Sequence, residues 1–508
     1  MVYKPYYPAR NAWHRVLVFI LLNSLIWCAA FSVSRHYLDG ADMVENYAWG
    51  INWQWGSNKH PPMFGWITAV WFTLFPTADW AYYLLNELNL GAAFVLLALA
   101  MRRLLLPPQV FVALVLTALA TCFGADSGYK YNADTGQLPF IAGLVWAVLV
   151  AVQERRWRYY LLAGVFAGAA VLTKYYALVL LLAAGLGIWL ALRPPFRDLA
   201  MGGLAAGFVG LTLVSPHLIW AAQHGWPTLH YMHAAHLVQA PQADVHALLE
   251  ALMRVFLFGA VALVTWRIAF IRLPAPSPLH SEHRMPRVGL SVFIASLVLT
   301  LIVSWVENLE LTAPWFIPAF LFLGWALVDM TPQTINWGRY MRRMQGMTLV
   351  WWGLVLAGAV VYEAKYRDYP VPPAYALPQR IAEDVTRLYH QTYHQPILYA
   401  AGHFPYPYVL SFYSPDHPKG LAGLNISDSL WIDRQALMRG AKVVVCGSEK
   451  PDGLEGRSCD QEARLVLGMP EKTIILSYPV YDPGHRRTDM QHYKVLMYAP
   501  YKPRGRMT

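Results

Sequence analysis

Charge is scarce in this sequence. Of 508 residues only 14% are Asp, Glu, Lys or Arg, where a soluble protein carries about a quarter. With 56% hydrophobic residues and a mean hydropathy of +0.33, that shortage excludes an ordinary water-soluble globular chain. Cysteine is nearly as thin, at four residues. Cys28 and Cys122 fall in or beside apolar segments, where a small buried hydrophobe is the simpler reading. Cys446 and Cys459 lie in the polar C-terminal part, where an oxidising compartment would permit a disulfide. Their spacing alone does not decide whether they meet. No glycine-rich phosphate loop or catalytic triad stands out, and no convincing metal-ligand set either. No small-residue cleavage site follows the first apolar segment, which is therefore expected to be a retained helix and not a removed signal.

What the chain has instead is apolar runs near 20 residues, the length that crosses about 30 Å of hydrocarbon as helix. About eleven crossings are expected, near 13–34, 81–104, 109–124, 136–153, 158–173, 175–193, 199–220, 247–271, 288–306, 313–330 and 346–362. The pair 158–173 and 175–193 is divided only by Lys174. The shorter stretch 61–76 reads as a helix lying at the interface. With the N-terminus inside, seventeen Lys and Arg fall on inner segments, Arg102, Arg103, Arg155 and Arg156 among them, and five on the short outer ones. That bias sets orientation and accounts for most of the net charge of +10 without nucleic acid as a partner. An odd number of crossings then places everything after Tyr362 outside.

Two domains follow: a transmembrane part, 1–362, and a soluble outer part, 363–508, of mixed α/β type. In the latter QRIAEDVTRLYHQTY reads as an amphipathic helix. PILYAAG, YVLSFYS, AKVVVCG, TIILSYP and HYKVLMYA read as short strands between turn signals.

Polar residues gather on the expected outer face. The stretch Asp39–Trp66 holds three carboxylates, Lys59, His60, a proline pair and four tryptophans. It is too polar for hydrocarbon and too aromatic for a plain loop, and tryptophan favours a membrane surface. Asp39 reads as a surface charge. In the next outer loop Asp126 reads as a solvated turn. Asp134 stands against the start of a crossing, where a carboxylate complements a helix N-terminus; on local grounds the structural and functional readings are equal. Lys174 lies between apolar runs. Snorkelling explains such a lysine, but a charge inside a membrane segment marks a functional site by default. Gly164, Gly168 and Ala169 before it suit close helix packing. Residues 215–246 hold six histidines, His230, His233 and His236 at a spacing of three. An amphipathic interfacial helix explains them better than zinc, since no cysteine or carboxylate lies close in sequence. Glu307 and Glu310 fall on a further outer loop, and the inner loop 274–287 reads as a proline-rich connector.

Carboxylates and cations meeting at an interface suit a sugar attached to a lipid phosphate. The phosphate is already a competent leaving group and needs cations to stabilise the charge developing on it. The acceptor hydroxyl needs a carboxylate within reach to take its proton.

The residues that carry this chemistry resemble a known family. Asp42 to Pro62, ending in WQWGSNKHPP, resembles the first-loop motif of the GT-C glycosyltransferases, most closely family 39 and the bacterial RgtA/B/C/D-like group. NADTGQLPF, VLTKYYALVLLL, SPHLIWAAQHGWPTL and LTAPWFIPAF resemble later motifs in the same order, over about residues 10–330. The resemblance implies a GT-C membrane architecture with Asp42 as catalytic base and inversion at the anomeric carbon. It implies that Asp134 orients sugar or acceptor and that Lys59, His60 and Lys174 bind the lipid phosphate. Glu45 would assist, and Tyr47 and Trp49 would pack against lipid or sugar. The implied partners are a polyprenyl-phosphate sugar donor, a lipid or envelope-glycan acceptor and membrane lipids, with no metal or other cofactor, in a bacterial inner membrane. Two departures stand out: Met43 follows Asp42 where many relatives have Glu, and Glu45 stands where lipid A aminoarabinose transferases have arginine. A transporter of lipid-linked sugars would share the topology without needing a base, but no inverted repeat is evident. A non-catalytic scaffold would leave the loop residues purely structural.

Overall fold

A computed structural model describes residues 9–35, 38, 42–124, 128–236, 241–270, 286–307, 312–332, 335–367, 377–421, 423–447, 458–482 and 487–500. Asp39, Asp126, Glu310 and most of the 274–287 loop lie outside the described residues, as do the side chains of His233, His236 and His246. In chain order the first helices are α1 (Ala9–Ser34), α2 (Asp42–Gly50), α3 (Met63–Leu74), α4 (Asp79–Met101) and α5 (Pro107–Ala118). They are followed by α6 (Ala133–Gly136), α7 (Leu138–Glu154), α8 (Trp157–Thr173), α9 (Ala177–Leu192) and α10 (Phe196–Gln223). Then come α11 (Pro227–His236), α12 (Pro241–Phe270), α13 (Val288–Val306), α14 (Ile317–Phe320), α15 (Leu323–Met330) and α16 (Trp337–Arg367). The C-terminal part holds α17 (Leu377–Tyr393), β1 (Tyr399–Gly402), α18 (Tyr406–Tyr413), β2 (Lys419–Gly420), α19 (Arg434–Arg439), β3 (Lys442–Gly447), α20 (Cys459–Leu467), β4 (Lys472–Asp482) and β5 (Arg487–Tyr498).

Each of the eleven expected crossings meets a helix or helix pair, but not all are long enough to span. Seven helices among the described residues are long and apolar enough, and α14–α15, bent by 56° with the short turn before it, makes an eighth as a broken span. Three expected spans meet shorter helices. The helix begun by Pro107-Pro108 has 12 residues, and α8 and α9 have 17 and 16. Hydropathy marks apolar length, whereas helix ends are set by local chemistry: prolines fit the first turn of α5, and the extended backbone of Lys174 (φ −157°, ψ 131°) separates α8 from α9. The 61–76 stretch holds the 12-residue α3.

The chain forms two compact units that interleave in sequence. The first holds residues 1–31, 59–64 and 83–357; the second holds 32–58, 65–82 and 358–508. The division therefore differs from a simple 1–362 and 363–508 split, because first-loop segments cluster with the C-terminal part.

In the first unit, small residues let helices approach closely, as expected of Gly164 and Gly168. A Cβ on Gly164 would lie 2.5 Å from the Ala206 carbonyl oxygen of α10, and one on Gly168 3.1 Å from that of Gly210. Within hydrocarbon such close packing substitutes for a hydrophobic drive between helices. The start of α13 is closed by a distant residue: the Leu290 amide donates to the Asp329 carboxylate of α15 at 3.0 Å, satisfying an otherwise orphaned donor. Outward positions of the spanning helices are apolar, as on α16, where Leu349, Val350 and Leu354 are all more than 60% exposed.

The second unit holds a five-stranded sheet of order β2-β1-β3-β5-β4. Strand β1 pairs in parallel with β2 and β3, while β3–β5 and β4–β5 are antiparallel. The amphipathic α17 and four of the five expected strands are present. The fifth, YVLSFYS, is a helix, α18. A short continuous apolar run fits a buried strand or a buried helix equally well, and here Tyr408, Val409, Leu410 and Phe412 are buried together. Cys446 and Cys459 form a disulfide, Cα to Cα 5.7 Å, tying β3 to α20.

Candidate active site

Asp134 is placed by a tight local device. Asn132 caps the one-turn helix α6, its side chain accepting from the amides of Asp134 and Thr135 at 2.9 and 3.1 Å. The Asn132 amide in turn donates to the Thr135 hydroxyl at 3.1 Å, which satisfies donors at the helix start reciprocally. The Asp134 carboxylate, thus fixed, accepts from Lys174 Nζ at 2.6 Å. Lys174 lies in the break between α8 and α9, so its side chain is released from a helical surface to reach across. Both side chains are largely buried, at 11% and 16% exposure. Two residues 40 apart in sequence thus form one ion pair.

Lys59, His60 and Lys174 line a single cavity of about 300 Å³ in the first unit, with Tyr175, Tyr176, Tyr231, Glu307 and Trp315 among its other walls. Lys59 Nζ lies 5.5 Å from the Tyr231 ring centroid, within cation–π range. His60 meets the Phe64 ring edge-on at 5.6 Å. Tyr176 packs against Trp315 at 5.8 Å and hydrogen-bonds Thr300. The Tyr175 hydroxyl lies 2.6 Å from His217 Nε2, and His217 is fully buried. The histidine-rich stretch therefore serves this cavity twice: α11 supplies Tyr231, and His217 holds Tyr175. Sequence reading singled out neither tyrosine. Glu307, noted only as an outer-loop acid, is a cavity wall. Among the described residues no cluster of three or more His, Cys, Asp or Glu is arranged to hold a metal ion.

Asp42, Glu45, Tyr47 and Trp49 belong to the second unit. Asp42 opens α2, where a carboxylate faces the positive end of the helix, and is half-buried. The other three are 5%, 5% and 7% exposed. Tyr47 is enclosed by Phe72 at 5.5 Å and Phe412 at 5.1 Å, and its hydroxyl lies 3.2 Å from His417 Nδ1. Burial pushes that hydroxyl up to about 12. Glu45 faces α18: burial first, then the Glu45 carboxylate, push the Tyr408 hydroxyl well above its ordinary value. Packing accounts for the burial of Glu45, Tyr47 and Trp49. The ring of Tyr47 anchors α2 through Phe72 and Phe412. Helices α2 and α3 cross at glycines, a Cβ on Gly50 falling 2.1 Å from the Gly65 carbonyl oxygen.

The comparisons with known proteins bear on this arrangement. A family model described as dolichyl-phosphate-mannose-protein mannosyltransferase matches residues 59–220, the segment that contains Lys59, His60, Asp134 and Lys174. Among solved structures the fold is similar to that of ArnT from Cupriavidus metallidurans bound to undecaprenyl phosphate. The TM-score is 0.56 at 15% identity, over 96% of this chain and 98% of that one. The same protein in the apo state gives 0.56 at 14% identity over the same shares. No curated protein matches the sequence. At such low identity the likeness establishes architecture: a multi-pass membrane protein of the GT-C fold with a small sheet-containing part at the C-terminus.

Proposed function

We propose that this chain, which has the GT-C fold of membrane glycosyltransferases and carries a mannosyltransferase-family segment over residues 59–220, moves a sugar from a polyprenyl-phosphate donor to a lipid or envelope-glycan acceptor. The observation that carries the reading is the cavity in which Lys59, His60 and Lys174 converge between aromatic walls. Cations in the wall of an apolar, aromatic-lined cleft suit a lipid phosphate, and they stabilise the charge that develops on it as the sugar–phosphate bond breaks. Lys174, held in place by its pairing with Asp134, joins Lys59 and His60 in facing the phosphate. Asp134 then has two tasks, holding Lys174 in place and offering its second oxygen to a sugar or acceptor hydroxyl.

Asp42 is the base in this proposal. It takes the proton of the acceptor hydroxyl as that oxygen attacks the anomeric carbon from the face opposite the phosphate. One C–O bond forms, the sugar–phosphate C–O bond breaks, and the configuration inverts. The polyprenyl phosphate leaves with the bonding pair. The reaction is placed at the periplasmic face of a bacterial inner membrane, supported by the positive-inside count and by the Cys446–Cys459 disulfide, which an oxidising compartment sustains.

The test uses purified protein with polyprenyl-phosphate sugars and candidate acceptors, following transfer and the product anomer. Asp42→Asn is expected to lower transfer by about 10²–10⁴-fold, the usual contribution of a general base, while undecaprenyl phosphate still binds. Transfer undiminished in that variant would overturn the assignment of the base.

A further inference from the structure

A second, larger cavity lies away from the candidate active site. It is a groove of about 680 Å³ along α16, between that helix and the end of α12, well within the roughly 300–1,000 Å³ of small-molecule clefts. Its walls are apolar along most of their length, including Ile268 of α12 and Met347, Val350 and Trp351 of α16. One end carries two guanidinium groups, Arg342 and Arg343, and among the described residues no wall residue is a carboxylate. Arg343 Nη1 donates to the Ala269 carbonyl in the last turn of α12 at 3.1 Å, which fixes that guanidinium beside the groove. Arg342 is exposed beside it. On the α16 side the groove is deepened by Gly346, where a Cβ would meet no protein atom within 4 Å. A glycine inside a helix costs up to about 1 kcal/mol against alanine, and among the described residues no neighbour requires it.

We infer that this groove binds an anionic glycerophospholipid, its acyl chain along α16 and its phosphate on Arg342 and Arg343. The chemistry follows from the shape. An acyl chain fills an apolar channel of this kind, and a guanidinium presents paired N–H donors that match a phosphate. Basic pockets between membrane helices select lipids by headgroup charge, each basic side chain contributing about 1 kcal/mol near an anionic surface. A zwitterionic lipid satisfies the channel but not the net positive end. The site is distinct from the cavity of Lys59, His60 and Lys174 and shares no wall residue with it. The inference does not depend on the proposed reaction.

Thermal unfolding of the full-length protein in a neutral detergent tests this, with phosphatidylglycerol, phosphatidylcholine, undecaprenyl phosphate or inorganic phosphate added separately. Phosphatidylglycerol is expected to raise Tm and to remain bound in native mass spectrometry, while phosphatidylcholine and inorganic phosphate do neither. Arg342→Gln should raise the half-saturating phosphatidylglycerol concentration about fivefold, the equivalent of ~1 kcal/mol. Gly346→Leu should abolish the shift by filling the channel; leucine is the better helix former, so folding is not the limit. Gly207→Leu on α10, another glycine facing open space, should keep it. An equal shift from phosphatidylcholine or from inorganic phosphate would overturn the proposal, as would a full phosphatidylglycerol shift in Gly346→Leu or an undecaprenyl phosphate shift that Gly346→Leu abolishes.

Discussion

Lys174 and Asp134 show how much a single pair contributes when both partners are largely withdrawn from solvent. The pair lies at 2.6 Å, and removing one partner strands the other. Either Asp134→Asn or Lys174→Met is expected to cost about 3–5 kcal/mol of stability, and the double variant less than the sum, because the double change leaves no uncompensated charge. A double-mutant cycle by thermal or denaturant unfolding measures the coupling. The same two residues stand beside the cavity, so the functional reading predicts a second effect. Lys174→Arg keeps the charge but alters its shape, and should retain stability better than it retains affinity for undecaprenyl phosphate.

At the scale of elements, close approach decides where α2 stands. The Gly50 position leaves no room for a methyl group against the Gly65 carbonyl, so Gly50→Ala must push α2 and α3 apart. Overpacking of this kind costs roughly 1–3 kcal/mol, and the expected outcome is a lower Tm and, on the proposed role of Asp42 as base, slower transfer. A second element-level prediction concerns acid. Asp460 of α20 accepts from Lys494 of β5 at 2.8 Å, and that hydrogen bond, then one from Ser458, holds its carboxyl below the ordinary value. A depressed acid contributes stability that is present above its unfolded-state pKa of about 3.9 and is lost as pH falls through the lower folded value. Acid unfolding of the C-terminal sheet followed below about pH 4 should therefore be shallower in Asp460→Asn than in the unmodified protein.

For the whole molecule, the division of the chain into two interleaved units matters more than the boundary near residue 362. First-loop residues 32–58 fold with the C-terminal sheet, α2 packing on α18 through Tyr47 and Phe412. The C-terminal part is thus a support for the helix that carries Asp42 and not a separate appendage. Its disulfide closes a short loop, with the two cysteines 13 residues apart. Cross-linking at that separation stabilises by about 3 kcal/mol on the chain-entropy account. Cys446→Ser combined with Cys459→Ser should lower the unfolding midpoint of this unit accordingly. If α2 depends on that unit, transfer should fall at a lower temperature in the same variant.

Membrane class, the order of the apolar helices and the presence of a mixed α/β part were readable because they rest on composition and on local periodicity, which every residue of a segment repeats. So was the likeness of the His60, Asp134 and Lys174 motifs to one family, whose model matches residues 59–220, since each is a short run of residues. Helix lengths were less readable. Proline at α5 and the extended Lys174 end helices for reasons that a hydropathy average does not register, and YVLSFYS carries no period long enough to separate strand from helix. What only the tertiary structure decided is which side chains share a space. The ion pair of Asp134 with Lys174, the service of His217 to Tyr175, Tyr231 as a partner for Lys59, and the enclosure of Tyr47 by Phe412 all join residues tens to hundreds apart. Such pairings are fixed by how elements pack, and packing is a property of surfaces brought together from distant parts of the chain. A linear pattern records each surface and leaves its partner to the fold.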